Sequence, residues 1–516
     1  MQSAHASQLF QTSSSLATGK RRAAKASGSA AKRGRPIYLG RRQKDAEDLK
    51  LGGAGSDAGR EKVLDALVDG GGRVWTAESG GVVRGTDLQT GRTTHLLLAH
   101  KAPVCSLALI SPTLLASAGW DKVIHFWPIS PTPSTSNGNT STSAPHRPQP
   151  LYTISNASED FIKALHYLPS QQVLLSGGAD RSVRAWRLAG LESALQTRSA
   201  GTLSGSHTRG ITSITSLARI EGQQGVGGNE VVYTADSMGR ILEVQLDCSG
   251  DDRVRFEVLR ELRGPETSVA QLVGCWGPLH EDEDEDDEEN AAGAGPSRRP
   301  AYIWAASNDK TAQRFDVVAP VAKAGATKGA PQPRHERSSN TGALLGRLPP
   351  LAPSVILSHP DYVKTVLPLP QDAAAGRADV VVTGSADEDL RVWRLAGNEV
   401  GAEQQLVRRQ RGHWHEVEKV LLWHGIVDED EGEEGKEASS ASVASWWVIS
   451  AGLDGSIRRW RLDELLVAGG EEEEDEDKVE EEVSKQANGS ESKSPAGGGM
   501  TAEEEAELAE LMSDEE

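Results

Sequence analysis

Cysteine is scarce in this chain of 516 residues: Cys105, Cys248 and Cys275 stand far apart. No two share the short spacing of a metal or redox pair, so zinc ribbons, disulfide scaffolds and thiol-redox centres are excluded. The three are read as reduced core thiols. No run of about 18 uncharged apolar residues occurs, which argues against a membrane-spanning helix. No apolar stretch near the N-terminus forms a secretory signal, so the Asn-x-Ser/Thr triplets at Asn139, Asn156 and Asn488 carry no expectation of glycosylation. The phosphate-cradling G-x-x-x-x-G-K-[ST], the dinucleotide G-x-G-x-x-G after a strand and the nucleophile elbow G-x-S-x-G are all missing. His280, His335 and His415 are each followed by Glu, but none continues to H-E-x-x-H. The expectation is a protein that is not an enzyme, with no catalytic residues, no cofactor and no metal site.

Charge of one sign is missing locally. The first 44 residues contain no Asp or Glu and ten Lys or Arg, although the chain as a whole carries −20. Three later runs are almost purely acidic: EDEDEDDEE at 281–289, DEDEGEEGKE at 428–437 and EEEEDEDKVEEE at 471–482. Such runs cannot bury a core and are read as solvated, disordered segments.

Aromatics make up only 4 % of the chain, yet the 12 Trp outnumber the 6 Tyr and the 5 Phe. Many of them belong to a recurring phrase: SAGWDKVIHFW at 117–127, SGGADRSVRAW at 176–186, TGSADEDLRVW at 383–393 and SAGLDGSIRRW at 450–460. Each copy has Ser or Thr, then Asp four residues on, then Trp six residues later. Alternating apolar runs with turn residues between them surround each copy, the signature of short strands. A unit repeated at this spacing is one supersecondary element used many times. Counting by this template gives seven units between residues 63 and 465, of which the first, fourth and fifth are eroded.

These units resemble Trp-Asp (WD) repeats, and the chain is identified as similar to the β-propeller family built from them. The resemblance implies an all-β fold, a single seven-bladed propeller with a disordered basic arm at 1–50 and an acidic tail at 466–516. It further implies a hydrogen-bonded polar set inside each complete blade. The matching residues are His100, Ser117, Asp121 and Trp127; Ser176, Asp180 and Trp186, without a His; His359, Thr383, Asp387 and Trp393; and His413, Ser450, Asp454 and Trp460. A buried Asp must accept hydrogen bonds, and a buried Trp N–H must donate one. These sets are therefore structural, despite their likeness to a hydrolase triad. In the first unit Gly80 and Thr86 replace Asp and Trp, in the fourth Met238 and Val244 do, and in the fifth Ala305 and Phe315 replace Ser and Trp. Those three blades are expected to rely on packing. The last blade is closed either by 36–39 or by 463–469.

Within each blade the strands are a, b, c and d. The family geometry puts the a–b and c–d connections on one face and the b–c and d–a connections on the other. The long segments 128–149, 277–300, 319–353 and 425–443, read as disordered, are all of the first kind. The opposite face is left with short turns and is expected to bind protein partners through Trp120, Lys122, Phe161, Arg181, Asn308, Lys310, Tyr362, Glu388, Trp414 and Leu453. A motif D-[FY]-[IV]-K opens two units, at Asp160 and Asp361.

In the basic arm, Lys20, Arg21, Arg22, Lys32, Arg33 and Arg35 read as a nuclear import signal, and Arg33-Gly34-Arg35-Pro36 resembles an AT-hook core. In the tail, Thr501 and Glu504 form a capping box ahead of a short helix at 502–512. The expected function is a non-catalytic nuclear scaffold in a ribosome-assembly or chromatin setting, monomeric within a hetero-complex. Its partners are proteins, including basic ones such as histones or ribosomal proteins, attracted by the acidic runs. Alternatives are a nucleic-acid-binding or RNA-modifying accessory subunit acting through residues 20–44, a substrate adaptor of a ubiquitin ligase, and a cytoplasmic location. The ligase role is disfavoured because Trp127 is followed by Pro128 and the other phrase-ending Trp residues by Arg, not by the Asp-x-Arg such receptors carry.

Overall fold

The computed structural model describes residues 35–38, 61–129, 145–189, 196–217, 229–248, 253–277, 300–317, 346, 348–374, 379–395, 404–426 and 444–467. They form seven four-stranded antiparallel sheets. The seven innermost strands contact one another in turn, and the seventh touches the first, so the sheets close a ring. This is the all-β propeller expected from the repeats. In the first blade the strands run Val63–Val68, Arg73–Glu78, Val83–Asp87 and Thr93–Leu97. Every strand b is buried along its described length except those of the fourth blade, where Val231 is half-buried, and of the last blade, whose first residues are half-buried. Core clusters of Val, Ile, Leu, Ala and Trp fill the spaces between neighbouring blades, as in the group joining Val183, Leu203, Ile214 and Val232.

Each innermost strand has an unpaired edge and must satisfy its backbone elsewhere. In five junctions a side chain two residues into strand a accepts the N–H of the next blade's strand. Asp65 takes Leu107, Ser106 takes Leu165, Ser213 takes Leu272, Gln271 takes Val366, and Thr365 takes Val420, at 2.8–3.1 Å. The third blade has Ala164 there, and its junction is bridged instead by His166 Nε2 and Ser216 Oγ at 2.8 Å. The ring closes with Lys419 Nζ on Asp65 Oδ1 at 3.1 Å.

The last sheet takes its outer strand from the N-terminal side: Arg35–Tyr38 pairs antiparallel with Ser456–Arg461, Ile37 opposite Ile457. Arg35 is thus part of a strand and not of a free basic arm. The competing segment forms a short helix, Leu462–Leu466. The remaining import-signal residues, the AT-hook core before Arg35 and the tail helix at 502–512 lie outside the described residues.

Every internal stretch outside the described residues connects strands a and b or strands c and d, except 39–60, which leads from the closing outer strand to strand a of the first blade. Two of the segments expected to be disordered are ordered where they approach strand d. His146 exchanges backbone bonds with Thr94 and Leu96, and Leu351 bonds Glu261 and Arg263. Both lie along the outer strand of the preceding blade, where an open edge would otherwise be exposed to pairing with other chains.

Candidate protein-binding face

The b–c turns are built alike in all seven blades. Ser79, Trp120, Ala179, Ser237, Asn308, Ala386 and Leu453 each donate their N–H to the carbonyl of the residue that precedes strand a, at 2.7–3.1 Å. Two residues further on the backbone is left-handed every time: Gly81, Lys122, Arg181, Gly239, Lys310, Glu388 and Gly455 have φ between 64 and 85°. Four of these are not glycine, and each such residue costs about 1 kcal/mol that surrounding structure must offset. Two of the four are anchored directly: Lys122 Nζ donates to Glu159 O at 2.7 Å and Lys310 Nζ to Pro360 O at 2.8 Å, each on the next blade. The face is therefore rigid and tied from blade to blade.

Between the two turn residues sits an acid in five blades, and its partners differ. In the second blade Trp127 Nε1–H donates to Ser117 Oγ (2.8 Å), which is 2.7 Å from His100 Nε2, while His100 Nδ1 is 2.8 Å from Asp121 Oδ2. The carboxylate fixes the direction of the chain: Asp121 only accepts, so Nδ1 carries the proton, and in the neutral ring Nε2 accepts from Ser117, whose oxygen also accepts the Trp127 N–H. The seventh blade repeats this with Trp460, Ser450, His413 and Asp454 at 2.8, 2.7 and 3.0 Å. Burial acts to raise the Asp454 carboxyl, but the charge and hydrogen bond of His413 outweigh it and hold the group below the usual range.

The third blade lacks the His. Ser158 stands in its place and donates to Asp180 Oδ2 (2.9 Å), and Arg184, from strand c, donates to the same oxygen at 2.6 Å. Burial pushes Asp180 up, yet the bonds from Ser182, Arg184 and Ser158 bring it down to about 2. Trp186 Nε1 still reaches Ser176 at 2.9 Å.

Two eroded blades keep a polar set, although they were expected to be held more by packing than by one. Glu78 and Asp236 sit two residues after Thr76 and Thr234, inside strand b, and both are fully buried. His207 bonds Thr234 at 2.8 Å and Asp236 at 3.2 Å; Arg84 Nε donates to Glu78 Oε1 at 2.7 Å. A turn acid and a strand acid occupy the same space, so a blade has room for one. At Gly178 an added Cβ would lie 2.5 Å from Asp180 Oδ1. The sequence signal was present as Thr-Ala-acid in both eroded copies.

The sixth blade departs furthest from its expected set. Trp393 Nε1 donates to Thr383 Oγ1 at 2.9 Å, but Asp387 is held in a two-pronged grip by Arg391, at 3.1 and 2.5 Å. His359 is buried with neither ring nitrogen hydrogen-bonded, its ring edge-on to Trp393 at 5.3 Å. Arg391 reached the carboxylate that His359 was expected to hold.

Of the residues expected on the surface, Phe161, Tyr362 and Trp414 are exposed, at 36, 43 and 37 %, and Met238 joins them at 56 %. Leu453 and Glu388 are buried, turned inward by the fold of their turns. Trp120 is half-buried and stacks on Phe161 of the next blade, ring centres 4.9 Å apart and 13° from parallel. The motif opening two units is a local device: Asp160 and Asp361 each accept the N–H of the following aromatic at 2.8 Å. Its lysines are the extra residues of strand-a bulges, and Lys364 lies between Glu416 (2.8 Å) and Glu418 (3.7 Å).

His100, Asp121 and His125 are close enough to share a metal ion, their ligand atoms within 4.8 Å. Both His100 nitrogens are already engaged, so a metal would have to dismantle the blade's polar set. A cavity of about 610 Å³ between the outer strands of the third and fourth blades is lined by Arg198, Arg253 and Arg255, with Ser199 but neither a base nor an acid.

Four-stranded blades, left-handed b–c turns and Trp-to-Ser/Thr bonds define a seven-bladed propeller of the Trp-Asp type. The chain is a WD-repeat β-propeller protein. A family model described as "WD domain, G-beta repeat" matches residues 91–128 and 148–187. The chain is also 23 % identical over 450 residues to an uncharacterized WD repeat-containing protein of Schizosaccharomyces pombe, covering 86 % of this chain and 85 % of that one. Propellers of this family are in general protein-interaction scaffolds and not catalysts.

Proposed function

We propose that the protein is a non-catalytic scaffold that holds protein partners on its b–c turn face, within a nuclear complex. The observation that carries this reading is the placement of Phe161, Tyr362 and Trp414. They are three of the four exposed aromatic side chains among the described residues, and all three open a strand a or stand just before one on this face. Aromatic side chains set in rigid turns lose little entropy on binding and are preferred anchors of interfaces. The nuclear setting rests on Lys20, Arg21, Arg22, Lys32 and Arg33. Basic partners, such as histones or ribosomal proteins, are favoured by the acidic runs through charge attraction alone. The nucleic-acid alternative draws only on the basic arm and gains nothing from the face.

The test is affinity purification of the full chain beside a Tyr362→Ala, Trp414→Ala double variant. Recovery of specific partners should fall at least about tenfold, the scale of losing one hot-spot side chain. An unchanged partner set would overturn the face. Separately, a fluorescent fusion with Lys20, Arg21, Arg22, Lys32 and Arg33 changed to Ala should lose nuclear accumulation, and retained accumulation would overturn the import assignment.

A further inference from the structure

The sixth and seventh blades carry the same side-chain types at corresponding positions and use them differently. The seventh has His413, Asp454, Arg458 and Trp460, with Ser450; the sixth has His359, Asp387, Arg391 and Trp393, with Thr383. In the seventh, His413 holds Asp454 and Ser450. In the sixth, Arg391 holds Asp387, and both nitrogens of His359 are desolvated and unbonded. A buried imidazole in that condition is destabilising, and an apolar side chain of similar size would serve better. His359 is therefore a residue whose use lies in an arrangement other than this one, and the seventh blade displays that arrangement.

His359 also lies at the root of the proposed docking face. Its backbone N–H donates to Lys310 O at 2.8 Å, and Lys310 Nζ in turn holds Pro360 O at 2.8 Å. Two residues on, Tyr362 presents its ring, and its carbonyl accepts Ala386 N and Ser385 Oγ at 2.8 and 2.9 Å. A turn of the His359 ring toward Asp387 would act directly on the segment that carries Tyr362.

We propose that the sixth blade is a two-state element beneath the docking face: Asp387 exchanges its Arg391 partner for His359, and the exchange moves the Pro360–Tyr362 segment and so regulates partner binding there. This rests on the reading of the b–c turn face as the docking site. The charged groups facing His359 are Arg391 and Asp387 of its own blade, with Lys310 approaching from the fifth. In the Arg391-held state, burial first and the Arg391 charge second depress the His359 imidazole to about 3.

The experiment is histidine-detected ¹⁵N NMR of the full chain with Arg391→Met. Removing the guanidinium should send His359 to Asp387, and its titration should rise from about 3 to above the ordinary histidine value of about 6.5. A His359 titration unmoved in this variant overturns the proposal. If Arg391→Met does not fold, Arg391→Leu, which also removes the cation, gives the same readout. Stability supplies a second arm. Arg391→Met should shift the unfolding equilibrium by less than about tenfold, but by at least a hundredfold when combined with His359→Leu, which alone should be neutral or stabilising. Additive effects overturn the exchange. Finally, His359→Leu locks the Arg391-held state, so its recovery of Tyr362-dependent partners should differ at least threefold from that of Arg391→Met. Equal recovery overturns the regulatory claim and leaves the docking face standing, whereas the NMR arm needs no partner and is independent of that face.

Discussion

The third and seventh blades solve one electrostatic problem in two ways. Each buries a carboxylate under a b–c turn. In the seventh, a histidine from the preceding loop reaches it; in the third, an arginine four residues along the chain does, helped by Ser158 where the histidine would be. Across the ring, His100, His207 and His413 serve the second, fourth and seventh blades, and Arg84, Arg184 and Arg391 the first, third and sixth. The buried negative charge is the fixed element, and the partner that compensates it is interchangeable. That follows from physical necessity: a carboxylate out of water needs donors, but their identity matters less than their geometry.

This contrast can be broken or sharpened, beginning with the largest effect. Asp454→Ala should destabilise by about 4 kcal/mol, because it strands the buried His413 and Ser456; a loss under about 1 kcal/mol in denaturant unfolding would show the acid to be dispensable. Asp236→Gly should lower stability by about 3 kcal/mol, and adding Met238→Asp should recover most of that by returning the acid to the turn. Failure of the rescue would refute a single shared carboxylate space. Arg184→Met should cost about 2 kcal/mol, less than its counterpart in the seventh blade, because Ser158 and Ser182 still donate to Asp180. Acid titration gives the smallest effect. Asp180 is depressed from 3.8 to about 2 in the folded protein, so its contribution is fully present above pH 3.8 and is lost as pH falls toward about 2. The Asp180→Asn variant should show a flatter stability profile across that window, measured by urea midpoints.

Much of the architecture could be read from the chain because the Ser-to-Asp-to-Trp spacing is carried by residues that must meet in every complete blade. Which face carries the long connections was implied by the family resemblance alone, and among the stretches outside the described residues, 39–60, a d–a connection, departs from it. What escaped was set by distances that spacing does not encode. Trp120 was expected on the binding face or packed on the next blade, and the partner it stacks on there, Phe161, is not given by spacing. The acids Glu78 and Asp236 were hidden because they moved two residues along the chain while staying in one place in space. His359 had every mark of a complete set, and only the reach of Arg391 removes it from its acid.

Ile37 lies opposite Ile457 in the last sheet. The outer strand of this sheet is thus made some four hundred residues before its partner, and the intervening chain must be threaded into blades before the two can meet. A clipped chain lacking residues 35–38 would expose the outer edge of the final sheet. Integrity of the ring is therefore reported at its N-terminal strand: proteolytic loss of four residues there should be felt in the seventh blade, at the other end of the sequence.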